Sequence, residues 1–123
     1  MKNLVSLISI IAVVSCSAKG QTEAKNREQL KEYFLCCCID YGFKNIGIAE
    51  VDNSKSIYFD ILQYELPAMQ KVDSLAKAFV NSIEVSGYEN RITRGIVILS
   101  IEESKSKKID SFIRKLDKYM LKE

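Results

Sequence analysis

At 123 residues, with 47% hydrophobic and 28% charged side chains and a formal net charge of +2, the chain has room for one domain with an ordinary globular core. Histidine is absent, which removes the usual general base near neutral pH, the commonest zinc ligand and the partner of a Cys–His nucleophile, so the chain reads as a non-enzyme with no catalytic residue, metal or cofactor. Setting aside Lys2 and Lys19 at the N-terminus leaves 16 basic residues against 16 acidic ones, and with no basic patch interleaved with aromatics nucleic acid is not an expected partner.

Lys2 and the apolar run from Leu4 to Val14, too short to span a bilayer comfortably, have the form of a secretory signal. Residues 1–20 are therefore read as the signal and a short tether, and residues 21–123 as the working domain. Two cleavage patterns overlap. Val13-Val14-Ser15-Cys16 has the form of a bacterial lipobox, which would make Cys16 the lipidated first residue. Ala18 and Gly20 as the small residues would instead place cleavage before Gln21. Either pattern exports the domain to the periplasm, with a membrane attachment only through a lipid on Cys16.

Residues 17–26 are small and polar and read as a tether. From about Glu28, the residues Leu30, Phe34, Cys37, Cys38 and Tyr41 recur at helical steps while Arg27, Lys31 and Glu32 fall elsewhere on the wheel. This predicts a helix ending near Gly42 and Asn45-Ile46-Gly47. Residues 57–62 admit two readings: a strand after a turn at residues 53–56, or a helix capped near Asp52 to Ser54 with Ile57, Ile61 and Tyr64 on one face. Pro67 suits the first turn of the next helix, whose stripe is Val72, Leu75, Ala76, Phe79, Val80 and Ile83, with Gly87 as its stop. Residues 86–91 read as a loop. Beyond it Ile92, Ile96, Leu99 and Ser100 make a helical face, although Gly95-Ile96-Val97-Ile98-Leu99 alone has the form of a buried strand. A last helix carries Ile109, Phe112, Ile113, Leu116 and then Tyr119 or Met120, with Lys118 and Lys122 suited to its C-terminus.

Cys36, Cys37 and Cys38 invite a chemical reading that geometry discourages. On a helix each is turned by about 100° from the last, so the three thiols fan apart and cannot converge on one ion without unwinding. Structural zinc sites space their thiolates about two to four residues apart and draw partners from elsewhere. A nucleophile would need Asp40, Glu32 or a residue from another segment as its base. The favoured reading is that these thiols pack as small hydrophobes. With Cys16 lipidated, three thiols remain, so at least one is free or pairs between chains.

Two stretches carry a family resemblance. Cys38-Ile39-Asp40-Tyr41-Gly42-Phe43-Lys44-Asn45 is similar to the Cys-Ile-x-x-x-aromatic-Lys-Asn segment in the first helix of the type VI secretion amidase immunity proteins. These are small exported helical proteins that neutralise a cell-wall-cutting amidase. Ser100-Ile101-Glu102-Glu103-Ser104-Lys105-Ser106-Lys107-Lys108-Ile109-Asp110 is similar to the family's Cys-Leu-Asp/Glu-x-Tyr-x-Ser-x-x-Leu-Asp. Asp52, Ser54, Tyr58 and the helix through Val72 and Val80 sit at compatible spacings, so the likeness spans residues 28–121.

The resemblance implies an all-α, single-domain bundle of about five helices, with residues 54–62 and 91–100 helical. It implies a protein that binds a cognate secreted peptidoglycan amidase and blocks its cleft, protecting the producing cell and its kin. The family's assembly is a homodimer that touches the amidase through a protruding loop and a helix. By position these are Ser86, Gly87, Tyr88, Glu89, Asn90, Arg91 and Thr93, and the solvent face of residues 67–83 with Asp73, Lys77 and Asn81. Two departures stand out. Family members pair a second cysteine with the one that aligns with Cys38, but Ser100 occupies that place here and the bridge cannot form. Ser104 replaces a family Tyr. A different class, an envelope lipoprotein of structural or adaptor type held by Cys16, fits the same signal and helical pattern. Glu102, Glu103 and Asp110 as the acids of a small enzyme lie in a charged stretch beside lysines, where solvation is the usual role.

Overall fold

Leu30, Phe34, Cys37 and Cys38 are fully buried along one long helix, α1 (Lys2–Gly42). The computed structural model describes the backbone of residues 2–88 and 91–122 and the side chains of residues 20, 22–87 and 94–122. Residues 17–26, expected as a tether, continue α1. Ala18, Lys19, Gln21, Glu23, Ala24 and Lys25 all favour helix and no proline interrupts them. Glu23 also pairs with Arg27 one turn on, at 3.6 Å. Among the described residues no helix is long and apolar enough to cross a membrane.

Helix α1 ends where its backbone meets Ile96. A Cβ at Gly42 would lie 2.3 Å from Ile96 Cγ2, so glycine is what permits this approach. Two 3-10 turns, Lys44–Ile46 and Ile48–Glu50, then reverse the chain about Gly47, whose φ of 69° is left-handed.

The helical alternative for residues 57–62 is the one the chain takes, as α2 (Ser54–Ile61). Its expected inner face is corrected. Ile57 and Ile61 are exposed, whereas Tyr58 packs against the core and donates its hydroxyl to Glu32 at 2.9 Å. Leu62 leaves the helix in extended conformation, and this carries Leu62 and Tyr64 inward. The extended link is held from the far end of the chain. The Glu65 N–H donates to the Tyr119 carbonyl at 2.8 Å, and the Leu121 N–H to the Gln63 carbonyl at 3.0 Å.

Helix α3 (Leu66–Ser82) starts with Pro67 in its first turn and buries Ala68, Met69, Val72, Ala76 and Val80. Its Phe79 ring meets Phe34 of α1 with centroids 6.0 Å apart. The helix stops at Ser82, ahead of the expected Gly87, because Ile83 turns extended while keeping its side chain in the core.

Of residues 86–91, expected as a loop, Ser86–Tyr88 and Arg91 lie in strands, and Glu89 and Asn90 lie outside the described residues. Strand β1 (Ser86–Tyr88) runs antiparallel to β2 (Arg91–Thr93), with Ser86 opposite Thr93, Gly87 opposite Ile92 and Tyr88 opposite Arg91. The helix implied over residues 91–100 is therefore shorter: α4 (Ile96–Ser104) begins after β2, whose β-branched Ile92 and Thr93 suit a strand. Ser106 then caps α5 (Lys107–Lys115), its hydroxyl accepting from the Ile109 N–H at 3.1 Å. A final 3-10 turn, Asp117–Tyr119, closes the described chain.

The fold is one small all-α domain in which α2, α3, α4 and α5 each pack on α1. Two ion pairs fasten its far end. Arg27 grips Asp117 with two nitrogens, Nη2 at 2.6 Å and Nε at 3.0 Å, and Lys31 reaches Asp110 of α5 at 3.0 Å.

The two glycines separate packing from tolerance. Gly42→Ala forces a methyl group into Ile96 and should cost about 1–3 kcal/mol in urea unfolding. Gly87→Ala meets nothing within 4 Å and should stay within about 0.5 kcal/mol of the parent. Equal stabilities would contradict the α1–α4 contact.

Candidate functional site

The cysteine triplet divides between different neighbours, as its helical fan requires. Cys37 turns toward Asp73 of α3 and the Tyr33 hydroxyl, and Cys38 turns toward Ser100 of α4, while Cys36 is only half-buried. Burial pushes the Cys37 and Cys38 thiols from their ordinary 9.0 up to about 12. Both are therefore protonated at neutral pH, and the thiolate is the reactive form. Burial, reinforced by Asp52 and Glu32, raises Cys36 as well. Ser100 is fully buried, and its hydroxyl completes no hydrogen bond among the described residues although it sits close enough to Cys38 to influence that thiol.

Asp73 is placed differently from the sequence expectation. It does not present its carboxylate on the solvent face of α3. Its Oδ2 accepts from the Tyr41 hydroxyl of α1, and its Oδ1 pairs with Lys55 of α2 at 2.7 Å. Lys55 also reaches Asp40 at 3.5 Å and lies over the Tyr41 ring, 5.2 Å from its centroid. Burial alone would raise the Asp73 carboxyl, but the Lys55 and Tyr41 bonds outweigh it and hold the group below its usual range. Asp73 is thus the joint of three helices. A wheel places it beside Val72 at the edge of the buried stripe, and only the arrival of Lys55 and Tyr41 turns it inward. The cleft above this joint, about 530 Å³, has Tyr33, Phe59 and Met69 in its walls.

The remaining expected contacts lie toward one end of the molecule. Lys77 and Asn81 are exposed one and two turns beyond Asp73 on α3. Ser86 and Gly87 are exposed on β1, directly after the end of α3. Glu89 and Asn90 lie outside the described residues, as do the side chains of Tyr88, Arg91, Thr93 and Cys16. At the backbone level β1 and β2 pair with each other. Among the described residues no three His, Cys, Asp or Glu side chains group as a metal site.

One surface was missed by sequence reasoning. Helix α4 buries Ile96 and Ser100 but exposes Val97, Ile98, Leu99 and Ile101, with Ile98 62% accessible. Exposed apolar faces of this kind commonly mark interaction sites. The signal was present in the unbroken apolar run 96–99, which a buried strand explains equally well until the helix is seen.

The ionisable joints set the pH range of stability. An unfolded Asp titrates near about 3.9, above folded Asp73, so the contribution of Asp73 is present above about pH 4 and lost as pH falls below it. Cys37 and Cys38 work oppositely: their contribution is present below their ordinary 9.0 and lost as pH rises toward about 12. Urea unfolding across pH should show a neutral plateau falling on both sides. Asp73→Asn should lower the plateau and shrink the acid limb, and it should also weaken the alkaline limb in part, because Asp73 helps to raise the Cys37 thiol. An unchanged acid limb would contradict the role of Asp73.

With this geometry in view, comparison with known proteins adds no relative: no family model matches the chain, no curated protein matches it, and no solved structure matches it.

Proposed function

We propose that the protein is an exported immunity protein that inhibits a type VI secreted peptidoglycan amidase by covering its active-site cleft, and that it works in the periplasm. It acts by binding and performs no chemistry of its own. The observation that carries this reading is the meeting of Cys38 and Ser100. Two motifs far apart in the chain resemble the family in the sequence alone, and their bridging positions lie side by side between α1 and α4.

The hairpin supplies the blocking element. It follows directly on α3, whose Lys77 and Asn81 are exposed. Tyr88 and Arg91 are its anchors, since aromatic and Arg side chains dominate binding hot spots. A paired hairpin also loses less freedom on binding than an open loop of the same length.

The test mixes the protein with a secreted amidase encoded by a neighbouring gene, where one is found, and follows both complex formation and peptidoglycan hydrolysis. The wild-type protein should form a complex and abolish hydrolysis. Tyr88→Ala with Arg91→Glu should weaken the complex by more than about tenfold, the loss of one modest hot spot. Unchanged affinity removes the hairpin from the interface. A failure of the wild-type protein to bind or inhibit leaves the envelope-adaptor reading in its place.

A further inference from the structure

The end of α3 and the flank of α4 enclose a groove of about 360 Å³ beside the exposed apolar face of α4. Its walls are apolar, made by Phe79, Ile83 and Leu99, and its rim is acidic, made by Glu84, Glu102 and Glu103. Helical geometry sets Leu99 and Glu102 on the groove side of α4, with Val97, Ile98 and Ile101 on the adjoining outer face. Glu103 is bridged at 3.1 Å by Lys108, whose side chain is itself largely exposed. Glu84 and Glu102 have no ion pair among the described residues.

We propose that this groove receives a basic side chain from a partner protein, a Lys or Arg whose aliphatic stem lies along Phe79 and Leu99 and whose cation pairs with Glu84 and Glu102, while apolar residues of the same partner segment cover Val97, Ile98 and Ile101. Charge complementarity selects this occupant. An acidic or neutral segment would leave the rim carboxylates desolvated without a counter-charge, whereas a long cationic side chain satisfies both the walls and the rim. Lys108 shows the local preference already, resting on the one rim carboxylate within its reach. The groove adjoins the segment leading into the hairpin, through Glu84 and exposed Val85, so one partner can engage both. The inference deepens the functional reading by naming the chemistry of the partner surface, and it rests on that reading only for the partner's identity.

The test uses the full chain and two fluorescently labelled helical peptides of equal apolar content, one of Leu and Arg and one of Leu and Glu. Anisotropy should show the Leu–Arg peptide binding at least about tenfold more tightly than the Leu–Glu peptide. Glu84→Lys with Glu102→Lys, both at exposed positions, should remove that advantage while the thermal unfolding curve stays put. Ile98→Ser with Ile101→Ser should weaken the Leu–Arg peptide independently of charge. Equal affinity for the two peptides, or an advantage that survives the charge reversal, overturns the proposal. So does a dimer of the protein alone that Ile98→Glu dissociates, because a second copy would then cover the face. The peptides contain no amidase sequence, so a failed groove and a failed amidase reading give different results.

Discussion

The structure depends on burying α1 on several sides at once. Tyr33 and Cys37 face α2 and α3, Phe34 meets Phe79, Cys38 meets Ser100, and Gly42 admits Ile96. Polar arms extend the same hub: Tyr41 holds Asp73, Lys31 holds Asp110, and Arg27 holds Asp117. A central helix surrounded by others has little room near its axis, which favours side chains that are small yet apolar. Cysteine meets both needs. Cys37 and Cys38 therefore serve packing: adjacent positions turned by about 100° meet different neighbours, and burial keeps both thiols protonated.

This hub commits the polar side chains around α1 to stability. The Tyr41–Asp73–Lys55 joint and the Arg27–Asp117 pair tie distant segments and have little capacity left for a partner. Helix α4, by contrast, shows apolar Val97, Ile98, Leu99 and Ile101 to solvent. An exposed apolar face that follows a hairpin in the chain suits a protein that works by contact. The reading as an immunity protein gives both features one purpose.

Much of the fold was legible because its helices carry regular stripes. Val72, Ala76 and Val80, and Ile109, Ile113 and Leu116, are buried as their spacing predicts. What was not legible has identifiable causes. In α2 the apolar residues Ile57 and Ile61 outnumber Tyr58, the one that packs against the core, so the pattern pointed to the wrong face. In α4 apolar residues surround most of the helix, and periodicity carries no signal there. The hairpin is too short for an alternating pattern to register. Asp73 reads as a surface residue because its two partners come from other helices, one of them α2, the least certain element in sequence. The candidate hairpin was legible in position but not in form.

The functional reading rests on the meeting of Cys38 and Ser100, and that meeting can be tested chemically. Ser100→Cys under mild oxidation should form a disulfide with Cys38 in the folded protein, lowering the count of free thiols by two relative to the reduced variant, with helicity retained. The bridge should raise stability by about 2–4 kcal/mol. If both thiols remain titratable, or if peptide mapping finds the new thiol joined to Cys36 or Cys37, then α1 and α4 do not meet as described and the observation that carries the function is lost.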